Sequence, residues 1–332
     1  MSLFPRALAL LAVALHVLPV VVEAKQQQRL CAADPFADPR TDPCDSLKYI
    51  PSNALTAITF ALFIAAGIAH VFNSWKWGAK WMAAMTVGIF TYAIGLATRF
   101  GLHSMPDSEG LYIAEYLLVP CAFIAAEYVL LGRLARHLSM DEYLLVSPRR
   151  VMPAFVASDV TTFLIQAVGG AVSIAANDIK VNKVGSNIFL AGLVLQLASF
   201  LLFTSIYLRF LYCVYTRQPE TWTKDATLKK PWYNDWRALV GAMSLSCLGI
   251  IIRSVFRVVE LSQGFQGAIA TSEGDFNGFD CLPLFIAVVI YVPLWPGRFI
   301  RASPEDNNLP IEKAPSVAVP EGTPDLKGSA LP

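Results

Sequence analysis

The sequence predicts an all-α, polytopic membrane protein, a seven-transmembrane helix bundle with its N-terminus outside and its C-terminus in the cytosol. Of its 332 residues, 55% are hydrophobic and only 15% are charged, whereas soluble domains carry about a quarter charged residues. The apolar stretches exceed the roughly 4–8 residues of a buried strand. Seven of them approach the roughly 20 residues that a helix needs to cross a bilayer.

The seven predicted spans follow one another along a single membrane domain that covers residues 51–298. Between the fourth and fifth spans, the stretch from Asn177 to Gly185 has the composition of a loop. The sixth and seventh spans are less apolar, because they contain arginine or aspartate. We place the spans at about 51–72, 80–100, 111–132, 152–175, 186–209, 237–257 and 277–296.

The N-terminus has the pattern of a secretion signal. Arg6 precedes an apolar run over residues 7–22, and Ala24 offers a small residue before cleavage at Lys25. We therefore expect residues 1–24 to be a signal peptide, with an uncleaved anchor as the alternative. Residues 25–50 then form an extracellular or lumenal segment.

Loop charge sets the predicted orientation. The loops 73–80, 133–151 and 209–237, together with the tail, contain fifteen lysines or arginines, and the opposite loops contain eight. The positive-inside rule places the richer set in the cytosol. The tail 299–332, rich in Pro, Glu, Asp, Lys and Gly, is expected to be cytosolic and disordered. The secretory route makes the plasma membrane the expected location.

Cysteine placement agrees with this topology. Cys31 and Cys44 fall in the outside segment, where oxidation is permitted, so we predict a disulfide between them. The other four cysteines lie in or near helices and are expected to act as small packing residues.

Six ionisable residues are expected toward the outer ends of the spans. Each such group costs about 2.5–3.5 kcal/mol on insertion scales, so it needs a partner or a purpose. Three are basic and three acidic, which favours either an ion-pair network that holds the fold or a site for a substrate headgroup or a proton. These candidate substrate-binding residues are Arg99, Glu115, Arg253, Arg257, Glu260 and Asp280.

A second polar group is expected deeper in the membrane. Glu127 and Asp159 are candidates to carry a proton, or to pair with Arg133 or Arg149 near the cytosolic boundary. Further inner residues lie on faces shared with glycines, where close packing and hydrogen bonding between helices explain them, and a histidine at the end of the first span is expected to hydrogen-bond a neighbour. These residues are Gln166, Gln196 and His70.

The motifs of common enzymes are missing from the sequence. Its four histidines cannot converge on one metal, and neither a P-loop nor a G-x-S-x-G elbow occurs. We therefore predict a protein that is not an enzyme, with no catalytic residue, metal or cofactor. Nothing in the charge pattern indicates a nucleic-acid partner.

Several ordered stretches resemble the fungal RTA-like family of lipid-translocating exporters, named for aminocholesterol resistance. The likeness covers about residues 49–298. Its most specific block runs from Arg253 through Glu260 and continues to Asp280. Other matching stretches are Tyr49 with Pro51, Ser52, Thr56 and His70; Gly95 with Arg99; Pro120 with Ala126, Tyr128 and the run Leu131, Gly132, Arg133; Asp159 with Phe163, Gln166, Gly169 and Gly170; and Gly192 with Gln196.

This resemblance implies a function as well as a fold. Members are expected to move amphiphilic lipids such as sphingoid long-chain bases across the bilayer, or to confer resistance to toxic amphiphiles. Membrane lipids and an amphiphilic small molecule would then be the partners. The sequence departs from the family pattern at Tyr92, Leu96 and Trp295. A receptor or stress sensor is the alternative, because seven spans with an outside N-terminus also suit a receptor.

Overall fold

A computed structural model describes most of the predicted membrane domain. The signal peptide, the Cys31–Cys44 pair and the tail from residue 301 onward lie outside the described residues, and they stay predictions. The structure describes residues 34, 36–42, 45, 47–108, 110–112, 115, 121–138, 140, 148–175, 179–220, 222, 235–264 and 267–300.

Helices account for nearly all of this part of the chain, as expected for long apolar runs in which only helices satisfy the backbone. Ser52 and Asp235 cap the first and sixth helices by accepting hydrogen bonds from Leu55 N and Arg237 N. The helices are α1 (Asn53–Trp77), α2 (Ala83–Ser104, after a 3₁₀ turn at Lys80–Met82), α3 (Cys121–His137), α4 (Pro148–Ala175), α5 (Ile179–Arg217), α6 (Trp236–Ser262), α7 (Glu273–Asp275), a π-helix (Phe276–Cys281), α8 (Leu282–Val289) and α9 (Pro296–Phe299).

Length, composition and surface identify a polytopic membrane protein. Within the described residues, five helices are long and apolar enough to cross a membrane: Asn53–Trp77, Lys80–Ser104, Pro153–Ser173, Lys180–Arg217 and Trp236–Ser262. The helix surface is itself apolar, since Ile58, Ile68 and Phe72 of α1 each expose more than half of their area. Exposed aliphatic side chains of this kind belong against lipid rather than water.

The fifth helix is longer than predicted, and the predicted loop from Asn177 to Gly185 is wrong over its described part. α5 begins at Ile179 and runs for 39 residues, about 58 Å at 1.5 Å per residue. A Cβ on Gly169 of α4 would stand 2.5 Å from the backbone nitrogen of Phe189 in α5. Gly185, inside the predicted loop, likewise approaches the backbone of Ser173 and Gly169 in α4. These glycines permit contact between the two backbones, and this packing outweighs the loop-like composition.

The last predicted span, 277–296, is not one regular helix. It begins as a π-helix, continues as α8 for eight residues, and turns from Ile290 to Leu294. Pro283 has no N–H to donate to the carbonyl of Phe279, and its ring crowds that carbonyl. A wider π turn directly before the proline relieves this conflict.

The contacts define two ends of the bundle. We call the end that contains Ser52, Arg99 and Glu260 the network end, because Ser52 N donates to Glu273 Oε1 there. At the opposite end, Trp295 Nε1 donates to the carbonyl of Gly78 at 3.2 Å. α1 and the segment formed by the π-helix and α8 therefore both run from the network end to the opposite end.

Candidate functional site

Asp280 is the centre of a buried ion-pair group at the network end. Its Oδ1 lies 2.5 Å from Arg257 Nε and 3.2 Å from Arg253 Nε. The Tyr92 hydroxyl donates to Oδ2 at 2.9 Å. Arg257 also reaches Glu260 Oε2 with its NH1 group at 3.0 Å. Two arginines and two carboxylates, all nearly inaccessible to solvent, thus form one connected unit.

A second pair lies beside this unit. Arg99 NH1 donates to Glu115 Oε1 at 2.9 Å, and its NH2 group contacts the Tyr49 hydroxyl. The Phe276 ring joins the two groups, since Arg99 lies over it at 3.8 Å and Arg257 at 5.4 Å. Burial between an aromatic face and a carboxylate suits a weakly hydrated guanidinium group.

Local geometry explains why these side chains meet. Arg253, Arg257 and Glu260 share one face of α6, as their spacing predicts. The π-helix supplies Phe276 and Asp280 to that face, and π turns of this kind are frequent at functional sites. The structure thus brings all six predicted outer residues to one end of the bundle, while their role in substrate binding stays a prediction.

The described residues before α1 pack across the network end, and we call residues 45 and 47–52 the strap. Tyr49 contacts Arg99, and burial raises the pKa of Tyr49 to about 12, so its hydroxyl stays protonated. His103 Nδ1 lies 2.8 Å from the carbonyl of Pro51. With Ser52 bonded to Glu273 as well, the strap touches helices on both sides of the charged residues.

Acidic residues anchor the start of the strap. Asp45 Oδ1 accepts from the backbone N–H groups of Leu47 at 2.9 Å and Lys48 at 3.1 Å. Burial nevertheless raises the pKa of Asp45. Burial, and then the nearby charge of Asp42, also raise the pKa of Asp107. Ionisation of Asp45 and Asp107 therefore lowers the stability of this part of the folded chain.

Glu127 occupies a different environment, deeper in the bundle. Its Oε1 accepts from Ser246 Oγ at 2.6 Å, and both of its oxygens lie about 3 Å from the Tyr291 hydroxyl, at 3.0 and 2.9 Å. Within the described residues, the hydrogen-bond partners of Glu127 are hydroxyl groups. The sequence also suggested Arg133 as a partner for Glu127, but the Arg133 guanidinium group lies over the Trp81 ring. Asp159 interacts with the hydroxyl of Tyr128, the residue that follows Glu127 in the sequence.

The remaining inner residues link helices. Gln166 Nε2 of α4 donates to Gln196 Oε1 of α5 at 2.9 Å, which agrees with a packing role for both amides. His70 Nε2 lies 3.0 Å from the carbonyl of Val288, and its ring meets Trp295 edge-on at 5.2 Å. The histidine therefore has the neighbouring hydrogen-bond partner that the sequence suggested.

Sequence reasoning missed the neutral partners of the charged groups. The Tyr92 hydroxyl hydrogen-bonds Asp280, and the Tyr49 hydroxyl hydrogen-bonds Arg99. Ser246 and Tyr291 both hydrogen-bond Glu127. The helical repeat contained part of the signal, since Tyr92 lies seven residues before Arg99 and Ser246 lies seven before Arg253. Among the residues with described positions, no group of three or more His, Cys, Asp or Glu side chains could hold a metal ion.

An apolar-surfaced helical bundle with charges buried at one end defines a polytopic membrane protein with an internal polar site. The RTA1 family model, described as "RTA1 like protein", matches residues 85–303. The chain therefore belongs to the RTA1-like family.

Curated relatives come from Saccharomyces cerevisiae. Protein RTA1 is 32% identical over 214 residues, which are 63% of each chain. Protoporphyrin uptake protein 1 is 31% identical over 61% of this chain and 65% of its own. The sphingoid long-chain base transporter RSB1 of strain YJM789 is 26% identical over 61% of each. The chain thus spans just under two thirds of these three relatives. No solved structure matches it.

Proposed function

We propose that this protein is a lipid translocator that moves amphiphiles with a cationic amine headgroup, of the sphingoid long-chain base type, across the bilayer. The proposal rests on one buried carboxylate oxygen that has no hydrogen-bond partner among the described residues. It belongs to a set of buried charges that is otherwise paired and contains equal numbers of positive and negative groups. The names of the relatives, a sphingoid base transporter and a porphyrin uptake protein among them, support transport of amphiphiles as the class of activity.

Glu115 holds this oxygen. The residue is 3% exposed, and its Oε1 is engaged by Arg99. Its Oε2 is buried and has no hydrogen-bond partner among the residues that the structure describes. A buried acceptor left without a donor costs about 1–3 kcal/mol, and more when charged. A primary ammonium group has three N–H donors and would satisfy this oxygen.

The surrounding charges favour a headgroup with one positive charge. Besides Arg99, Glu115 lies within electrostatic range of Arg257, Asp280 and Glu260, and the whole set contains three charges of each sign. Such a site does not strongly attract free ions, but it provides one directional acceptor. The aliphatic tail of the lipid would remain in hydrocarbon along the apolar helix surfaces.

The proposed arrangement in the membrane has seven spans, with the network end outside. Helical residues at 110–112 and 115 precede α3, which supports a third span longer than its described part. The π-helix with α8 supplies the seventh. The predicted loop charges put Lys76, Lys80 and Arg133, at the opposite end, on the cytosolic side.

Reconstitution tests the proposal. Purified protein in liposomes should move a fluorescent long-chain base between leaflets, and Glu115→Gln should raise the half-saturating concentration about tenfold or more, as expected for a lost charged hydrogen bond of about 1.5–3 kcal/mol. The matched control is Glu220→Gln, at an exposed position near the end of α5.

Two results would contradict the proposal in different ways. If Glu115→Gln leaves the half-saturating concentration unchanged, the headgroup does not meet Glu115. If the wild-type protein moves no lipid and its loop 209–237 recruits a cytosolic protein, the receptor interpretation replaces transport. An uncharged long-chain amide of equal length should be insensitive to the substitution.

A further inference from the structure

Glu127 differs from the three buried carboxylates of the network end in its partners. Glu115, Glu260 and Asp280 each pair with an arginine, at 2.9, 3.0 and 2.5 Å. In the part of the chain that the structure describes, Glu127 bonds only Ser246 and the Tyr291 hydroxyl. Its residue is fully buried, with no measurable exposure.

Among the residues that the structure describes, the groups that face Glu127 from the packed helices carry no positive charge. α6 contributes Ser246 and Cys247, the turn after α8 contributes Tyr291, and α5 contributes Tyr207. On α4, Asp159 meets the hydroxyl of Tyr128, the residue that follows Glu127. An ionised carboxylate in such surroundings is unfavourable unless it is hydrogen-bonded, so the neutral acid is a competing state.

Hydroxyl partners allow both states at one geometry. An arginine can only donate hydrogen bonds, so it accommodates an ionised carboxylate alone. The hydroxyls of Ser246 and Tyr291 can donate to ionised Glu127 or accept from its protonated form. The site can therefore gain and lose a proton with no larger movement than rotation of two hydroxyl hydrogens.

Glu127 and its hydroxyl partners lie near the middle of the length of α6. Ser246 is the eleventh of the 27 residues of α6, about 15 Å from one end of that helix and about 24 Å from the other. Arg253, on the same face, is seven residues away, about 10 Å along the axis. At that separation, with an effective dielectric constant of about 20, two charges change each other's binding roughly tenfold.

We propose that Glu127 is a proton-binding site whose proton exchanges for the cationic headgroup, so that lipid movement is coupled to a proton gradient. This inference rests on the proposed function. The network end is balanced in charge, so an arriving ammonium group leaves one positive charge in excess inside the bundle. Release of the proton from Glu127 leaves a carboxylate and restores neutrality, so one cation enters as one proton leaves.

The coupling can be measured in proteoliposomes with a fluorescent long-chain amine and an internal pH dye. A gradient of one pH unit should change accumulation by the wild-type protein about tenfold, beyond the passive response of protein-free vesicles. Glu127→Gln, which resembles the protonated acid but cannot release a proton, should move lipid more slowly and respond to a gradient no more than protein-free vesicles. The Glu220→Gln control should respond like wild type.

The outcomes separate this inference from the proposed function. Lipid movement that ignores the gradient in the wild type, or a full gradient response in Glu127→Gln, would overturn proton coupling while leaving transport intact. If Glu127→Gln does not fold, Tyr291→Phe, which keeps the carboxyl but removes one hydroxyl, should weaken the gradient response; an unchanged response would count against the inference.

A spectroscopic readout decides the protonation itself. Infrared difference spectra between about pH 5 and about pH 9, on either side of the range in which a buried carboxyl titrates, should contain a carboxylic acid band in the wild type. The part of this band that comes from Glu127 should be missing in Glu127→Gln. A difference spectrum that Glu127→Gln leaves unchanged would overturn the proposed proton site, even where no lipid moves.

Discussion

Neutralising Asp280 should be the most damaging conservative change in the bundle. Asp280→Asn keeps the shape of the side chain but removes the negative charge that Arg253 and Arg257 share, at 3.2 and 2.5 Å. The side chain of Asp280 is completely buried, and those of the arginines are 8% and 5% exposed. The substitution therefore leaves a buried, uncompensated positive charge.

The expected loss can be scaled from these contacts. Removing one partner of a buried ion pair costs about 3–5 kcal/mol, because the remaining charge stays desolvated. Tyr92→Phe removes a single hydrogen bond to the same carboxylate, worth about 1.5–3 kcal/mol. Adding Arg253→Gln to Asp280→Asn rebalances the charge, so the double variant should recover part of the loss, about 0.5–3 kcal/mol.

The free energy of unfolding can be compared by titration with sodium dodecyl sulfate in mixed micelles. Asp275→Asn is the matched control, since Asp275 is partly exposed and lies only five residues before Asp280. A loss below about 1 kcal/mol for Asp280→Asn, or no recovery in the double variant, would refute the view that the shared charge stabilises the fold.

Two further predictions concern packing and the strap. Gly249→Ala should lower the free energy of unfolding by about 1–3 kcal/mol in the same titration, because its Cβ would stand 2.5 Å from the carbonyl oxygen of Pro283. Gly241→Ala, with open space around it, should instead be neutral or slightly stabilising. Asp45→Asn keeps an oxygen for both N–H donors but cannot ionise. Because burial raises the pKa of Asp45 above its usual value of 3.8, the wild-type strap loses stability as the pH rises above that value. The variant should therefore have the higher melting temperature at pH 7, and the difference should shrink toward pH 4. A difference independent of pH would contradict this assignment.

The helices that sequence predicts well are those in which apolar length and charge spacing agree. α1, α2 and α6 lie close to their predicted ranges, and the spacing of Arg253, Arg257 and Glu260 indicated a shared face. The path from Asn177 to Gly185 was misjudged because Asn, Lys and Gly favour loops locally. Close contact between α4 and α5 decides this region, and such contact depends on two distant stretches of sequence at once.

The site was predictable only as far as charge marks it. Each of the six outer residues is conspicuous in an apolar run, so its type and approximate depth could be read. Tyr92, Ser246 and Tyr291 are ordinary residues in such runs, and their hydroxyls gain meaning only from the carboxylates that they meet in space. The π-helix is likewise invisible to hydropathy, since it changes the direction of Asp280 without changing composition.

The backbone contact between α4 and α5 limits which parts of this protein can move. Where Gly169 meets Phe189, no side chain lies between the two helices, and the amide pair of Gln166 and Gln196 fastens them further along. Sliding one helix past the other would make the two backbones clash. α4 and α5 must therefore move together as one rigid unit. Any opening that admits a lipid tail must therefore occur where α4 and α5 contact the other helices. The aromatic rings of Tyr128, Phe155 and Phe203 meet at this boundary, and they can separate without breaking a main-chain contact.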